Sequence, residues 1–376
     1  MTTQKNDTIK QIRYAVVGLG HIAQAAVLPA FAHAKENSHL VALISGNRHK
    51  LKTLGRRYKV DALFSYDEFE NCLRSGEVDA VYIALPNSMH CEFTVRAARM
   101  GVHVLCEKPM AVTERECERM LHACGDHDVR LMIAYRLHFE RANLEAVRVV
   151  QTKQIGEPRI FNSVFSMDVK AGNIRLQDEL GGGTLYDLGI YCINAARYLF
   201  RSEPLEVFAF SAANGKRFRE VDEMTSAVMR FPTDRLATFT SSFGAANAGS
   251  YEIIGTKGTL RVSPAYEYAE ALKQQITLND KTRNRVFPKR DQFAPELIYF
   301  SDCILKRKEP EPSGIEGLAD VRIIQALYES AETGRPVGTF LREIQKQRPS
   351  LQQEINRPPV EHRPVEVYAE APHREE

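Results

Sequence analysis

The stretch Tyr14-Ala15-Val16-Val17-Gly18-Leu19-Gly20-His21-Ile22-Ala23 decides how this chain is read. A β-branched apolar run passes into G-x-G-x-x-A, and an amphipathic segment follows, which is the strand, turn and helix order of a dinucleotide-binding βαβ unit. Gly18 permits the tight turn, Gly20 lets the backbone approach a pyrophosphate, and the small Ala23 lets the helix pack on the strand. Leu19, His21 and Ile22 complete a loop whose N–H groups, at a helix N-terminus, face an anion.

Working outward, short apolar runs alternate with amphipathic stretches: Arg13 to Leu19, Leu40 to Ser45, Ala80 to Leu85, His103 to Cys106 and Leu131 to Ile133. That rhythm predicts a parallel sheet covered on both faces, a Rossmann domain over residues 1–134. After Tyr135 a helix over Arg141 to Val150 leads into strands near Arg159 to Val169, Leu205 to Ala213, Met224 to Phe231, Leu236 to Phe243 and Tyr251 to Val262. These follow one another through turns such as Thr256-Lys257-Gly258, so residues 135–340 read as an α+β domain with a large, mostly antiparallel open sheet. Helices over Pro295 to Leu305 and Ile315 to Thr333 close it, leaving one sheet face for a partner subunit. Residues 341–376, rich in Pro, Gln, Arg and Glu, read as a flexible tail, disordered or loosely draped.

The 376 residues, 44% of them hydrophobic, suffice for two cores. A formal charge of +2 lacks the basic excess of a nucleic-acid binder. No apolar run approaches the ~20 residues that cross a bilayer, and Met1 to Lys10 is polar, so the expected location is cytoplasmic, away from membranes. Seven cysteines without a C-x-x-C pair read as reduced core thiols. Cys117, His122, Cys124 and His127 match no common zinc spacing, and no metal is expected.

Where the second strand ends, an acid would receive the ribose 2′-hydroxyl of NAD, yet the chain reads Ser45-Gly46-Asn47-Arg48-His49-Lys50. Small hydrogen-bonding residues with Arg48 and Lys50 suit a 2′-phosphate, so NADP is expected over NAD. Two further strands run into polar clusters, Leu85-Pro86-Asn87-Ser88-Met89-His90 and Glu107-Lys108-Pro109, beyond the carboxyl ends where open α/β sheets bind ligands. Lys108 beside a cationic nicotinamide would steady an alkoxide and could carry a depressed pKa, with Glu107 as its counter-charge. The run Gly181-Gly182-Gly183-Thr184-Leu185-Tyr186-Asp187-Leu188-Gly189-Ile190-Tyr191 opens a helix on which Asp187 and Tyr191, four apart, share a face. A phenol there can exchange a proton with a sugar hydroxyl while the carboxylate orients it. Tyr135, Arg136 and Arg175 are candidate sugar or phosphate contacts.

These segments, together with Tyr135-Arg136, resemble the Gfo/Idh/MocA oxidoreductases, particularly the glucose-fructose oxidoreductase branch, over nearly all of Ile12 to Val337. The resemblance implies Lys108, Asp187 and Tyr191 as the catalytic set, with Tyr191 standing where many members carry His. It further implies an NADP-dependent sugar oxidoreductase moving hydride between an aldose C1 and nicotinamide, and a homodimer or homotetramer. The alternatives are a non-catalytic NADP-binding sensor and a dehydrogenase acting on a cyclitol or another sugar carbon.

Overall fold

Strand β1 (Ile12–Val17) carries the apolar run that leads into Gly18, and all but one of its residues are buried. A strand buried almost throughout is stable only where helices cover both faces. In the computed structural model, which describes residues 11–341, 349–360, 366–369 and 371–372, β1 is central. It joins β2 (Ser38–Ile44), β3 (Ala62–Phe64), β4 (Ala80–Ile83), β5 (His103–Glu107) and β6 (Leu131–Ala134). The order is β3-β2-β1-β4-β5-β6, every pair parallel. β3 escapes a reading by periodicity because it is three residues long. Helices α1 (Leu28–Ala30), α2 (Arg48–Tyr58), α3 (Phe69–Arg74), α4 (His90–Arg99) and α5 (Glu114–Asp126) belong to this unit. α2 starts where Asn47 accepts from the His49 and Lys50 N–H groups, and α5 where Thr113 and Glu116 cap one another.

The second sheet has nine strands: β7 (Pro158–Ser166), β8 (Glu206–Ala212), β9 (Met224–Phe231), β10 (Arg235–Ser242), β11 (Ala248–Gly255), β12 (Gly258–Val262), β13 (Leu272–Leu278), β14 (Lys281–Phe287) and β15 (Val337–Gly338). Their order is β14-β13-β12-β11-β7-β10-β9-β8-β15, antiparallel except for β7 beside β10. Burial alternates strictly along β9, as a sheet with one covered face requires. Of the helices α6 (Arg141–Gln151), α7 (Ile190–Phe200), α8 (Ala294–Leu305) and α9 (Gly314–Thr333), α7 packs on β7 and α9 on β8. Arg197 of α7, fully buried, is gripped by Glu203, Glu316 and Asp320, which fixes α7 against α9.

Two features depart from the sequence reading. α8, grouped there with the second domain, packs on β1 and β2: Ser301 Oγ lies 2.8 Å from the Tyr14 hydroxyl, and Asn37 donates to the Ile298 carbonyl. The described part of the tail, expected to be loose, is tied down by polar contacts, with Ile355 and Val367 also packed against the core. Glu354 meets Arg141 and Arg290, Arg357 donates to the His33 carbonyl, and Glu366 meets His21. Among the described residues no helix is long and apolar enough to cross a membrane.

Candidate active site

The glycine loop sits at the crevice beyond β1 and β4. Gly18 has φ of +92°, and a Cβ there would lie 2.3 Å from the Ala84 carbonyl oxygen, so the position admits glycine alone. Gly20 differs: a Cβ would meet nothing within 4 Å, which leaves the backbone open to a ligand. Leu19 is buried beneath the loop, and His21 and Ile22 begin the helix. At the end of β2, Ser45 Oγ accepts from the Asn47 N–H, and Gly46 lies against the Tyr66 ring. Exposed Arg48 and half-buried Lys50 follow within the first turn of α2, where burial pulls the Lys50 pKa down. The donor set, an open glycine loop plus cations and no carboxylate from Ser45 to Lys50, fits a dinucleotide that carries a phosphate on its adenosine ribose.

The reacting groups converge where β5 ends. Lys108 Nζ donates to the Asp187 carbonyl oxygen at 2.9 Å and to Asp187 Oδ1 at 3.1 Å, and stands 4.7 Å from the Tyr191 ring centroid. Arg175 Nε donates to the other carboxylate oxygen at 2.6 Å. Asp187 lies in a wide, π-type turn (Leu185–Gly189) that precedes α7, a distortion common at functional sites. Burial opposes the charge on Asp187, but Arg175 and Lys108 overcome it and hold its pKa well below the usual carboxylate range. Burial also works against the Lys108 ammonium, yet Tyr191, Asp187 and Glu107 outweigh it and raise its pKa. The chain's own groups thus raise the Lys108 pKa, the opposite direction to the lowering expected from a cationic nicotinamide beside it.

Five other expectations are revised. Glu107 is not the contact partner of the Lys108 ammonium; it accepts from the Tyr82 hydroxyl and the Lys108 N–H. The Tyr135 ring lines a small cavity with Lys108, Arg136 and Tyr191, but its hydroxyl donates to buried Asp320, away from a sugar. His90, expected at the cofactor, is fully buried with one ring nitrogen at the Pro109 carbonyl and the other at that of Leu85, so it fastens the two polar loops together. Asn87, beside Pro86, donates to the Gly181 carbonyl and so joins the two domains. Arg136 is buried between the Tyr191 and Tyr268 rings and donates to Gln292 and the Tyr266 carbonyl. Such placement makes it a neighbour of Tyr191 and removes it from a surface phosphate. In α5, Cys117 and Cys124 point into the core while His122 and His127 are exposed, so the four do not converge.

Missed entirely were Gln24, Glu366 and Tyr368, which meet beside the glycine loop. Their separation along the chain leaves no local pattern to find.

Residues 12–135 match the family model described as "Oxidoreductase family, NAD-binding Rossmann fold", and residues 143–261 match the GFO/IDH/MocA C-terminal domain. A D-xylose 1-dehydrogenase [NADP(+)] of Haloarcula marismortui is 32% identical over 88% of this chain and 94% of its own. The crystal structure of an aldose-aldose oxidoreductase from Caulobacter crescentus, complexed with glycerol, superposes with a TM-score of 0.84 at 38% identity, over 88% of this chain and all of that one. A 3-ketoreductase from Actinomadura kijaniata, in complex with NADP and TDP-benzene, gives 0.79 at 27% identity, over 85% and 98%. By sequence, by fold and by the lysine, aspartate and tyrosine gathered at the end of β5, the chain belongs to the Gfo/Idh/MocA family of oxidoreductases.

Proposed function

We propose that this oxidoreductase uses NADP to oxidise an aldose at C1, yielding the lactone. The observation that carries the reading is the Lys108 ammonium, held on Asp187 and facing the Tyr191 ring beside the cofactor crevice. The relatives support the sugar and the cofactor: two of them are NADP-dependent D-xylose 1-dehydrogenases and one neighbouring structure is an aldose-aldose oxidoreductase.

Gly18 to Ile22 would hold the pyrophosphate, and Ser45, Gly46, Asn47, Arg48 and Lys50 the adenosine phosphate. Leu85, Pro86 and the Glu107-Lys108-Pro109 loop would border the nicotinamide, which when bound supplies the hydride acceptor. Tyr191, in its phenolate form, takes the proton of the C1 hydroxyl and becomes the phenol as the C1–H bond breaks. Lys108 donates to the same oxygen and stabilises charge that develops there. Asp187 fixes the lysine, and Arg175 fixes Asp187, so neither has to be ordered during the reaction.

Tyr191→Phe and Lys108→Ala test this. Each should lower kcat by about 10²- to 10⁴-fold and leave NADPH affinity, read by fluorescence titration, nearly unchanged. Turnover that survives in both variants would remove the assignment.

We propose in addition that the uncovered face of the second sheet pairs with another copy of the chain. Ile160, Val164, Val228, Leu236 and Phe210 stand exposed on it, more apolar surface than a solvated sheet carries.

A further inference from the structure

The C-terminal segment makes a second kind of contact with the cofactor crevice, on its outer rim. Glu366 sets its carboxylate on His21 Nδ1 at 2.8 Å, at the first helical residue after the glycine loop. Val367 then pairs with Gln24 on both sides: its N–H donates to Gln24 Oε1 at 2.8 Å, and its carbonyl accepts from Gln24 Nε2 at 3.0 Å. Gln24 is completely buried and also donates to the Leu19 carbonyl within the loop, so the segment is fastened to the loop's own framework. Tyr368 packs edge-on against His49 with ring centroids 5.0 Å apart, beside the cations that follow β2. Farther on, the carbonyl of buried Pro372 accepts from the Lys170 N–H at 3.0 Å. Lys170 belongs to the second domain, in the connection that carries Arg175 to Asp187.

One short segment is thus bonded to the glycine loop, the adenosine end of the crevice and the loop behind the catalytic carboxylate. The five chain steps from Val367 to Pro372 span at most ~18 Å when extended, so the two anchors limit how far apart their seats on the two domains can lie. A dinucleotide lying along Gly18 to Ile22 would have this segment across its exit.

We propose that the segment described at residues 366–369 and 371–372 acts as a strap that retains the bound dinucleotide, with Gln24, His21 and His49 as its seats on the first domain. The inference rests on the cofactor reading above and deepens it, since a strap of this kind sets how long NADPH stays between turnovers. An enzyme so closed favours passing hydride to a second carbonyl substrate over releasing the reduced cofactor.

The test is a chase experiment. NADPH, and separately NADH, is bound to the full chain, to a chain ending at residue 365, and to a full-length Val367→Pro, Tyr368→Ala variant that lacks the N–H donated to Gln24 and the ring on His49. Release is followed by loss of nicotinamide fluorescence on mixing with excess oxidised cofactor. The strap predicts release about tenfold faster from both altered chains, a change expressed in the dissociation rate. Release within about threefold of the full chain in both, or tighter binding once the segment is removed, overturns it; tighter binding would mean that the segment competes with the cofactor. A wrong cofactor shows differently, as failure of the full chain to bind NADPH while NADH binds.

Discussion

Asp187 is the residue through which the site's charges are coupled, since Lys108 and Arg175 each hold one of its oxygens. Its pKa is depressed in the fold, so its ionised contribution is complete above the ordinary ~3.9 and is lost only as pH falls toward the folded value. The Lys108 pKa is raised, so the ammonium's contribution is complete below the ordinary ~10.4 and is lost as pH rises through the folded value. Both charges therefore persist across the neutral range. Asp187→Asn removes one of the charges that raise Lys108, so the alkaline limb of the kcat/KM profile should move to lower pH, with kcat at neutral pH down about 10²-fold. An alkaline limb that stays in place would show that Lys108 does not titrate there. In sequence Lys108 stands out because a polar cluster interrupts an apolar pattern, Asp187 and Tyr191 are linked only by their helical spacing, and the roles of all three come from the family resemblance. Their ionisation is not legible, because Arg175 and Asp187 come together only after the chain has passed through three successive glycines, Gly181 to Gly183. A Cβ at Gly182 would lie 2.4 Å from the Arg175 carbonyl oxygen, which shows how closely that turn folds back.

Among the elements, the strands of the first sheet other than β3 and helices α6, α8 and α9 can be read from periodicity to within a residue or two at most ends. The hairpin of β13 and β14 was missed although its turn carries a signal: Asn279 and Asp280 both take positive φ, at 47° and 61°, as a two-residue hairpin turn demands. The polar, alternating β14 (KTRNRVF) hides it, since an exposed edge strand lacks an apolar face. α8 was assigned to the wrong sheet for another reason. It is buried on most sides, and its partners Tyr14, Asn37 and Ser38 are more than 250 residues away in sequence. The contacts of residues 366–369 escape a sequence reading on the same ground: few apolar residues suggest looseness, whereas the pairing of Val367 with buried Gln24 supplies anchorage.

At the scale of the whole molecule, the two sheets play different parts. The first brings the cofactor crevice and Lys108; the second brings Asp187 and Tyr191 on one face and leaves the other uncovered. If that face takes a second copy, light scattering at micromolar concentration gives at least twice the 42.5 kDa of the chain, and Val228→Glu on exposed β9 lowers the mass toward that of one chain. A monomer before substitution contradicts the pairing. The central claim, that the site gathered at the end of β5 takes hydride from an aldose C1, has a more direct test. The protein is incubated with NADP and C1-deuterated xylose or glucose, and the reduced cofactor is analysed by mass spectrometry. Deuterium in the nicotinamide ring is the predicted result; reduced cofactor without deuterium, or no reduction with any free aldose, would contradict it.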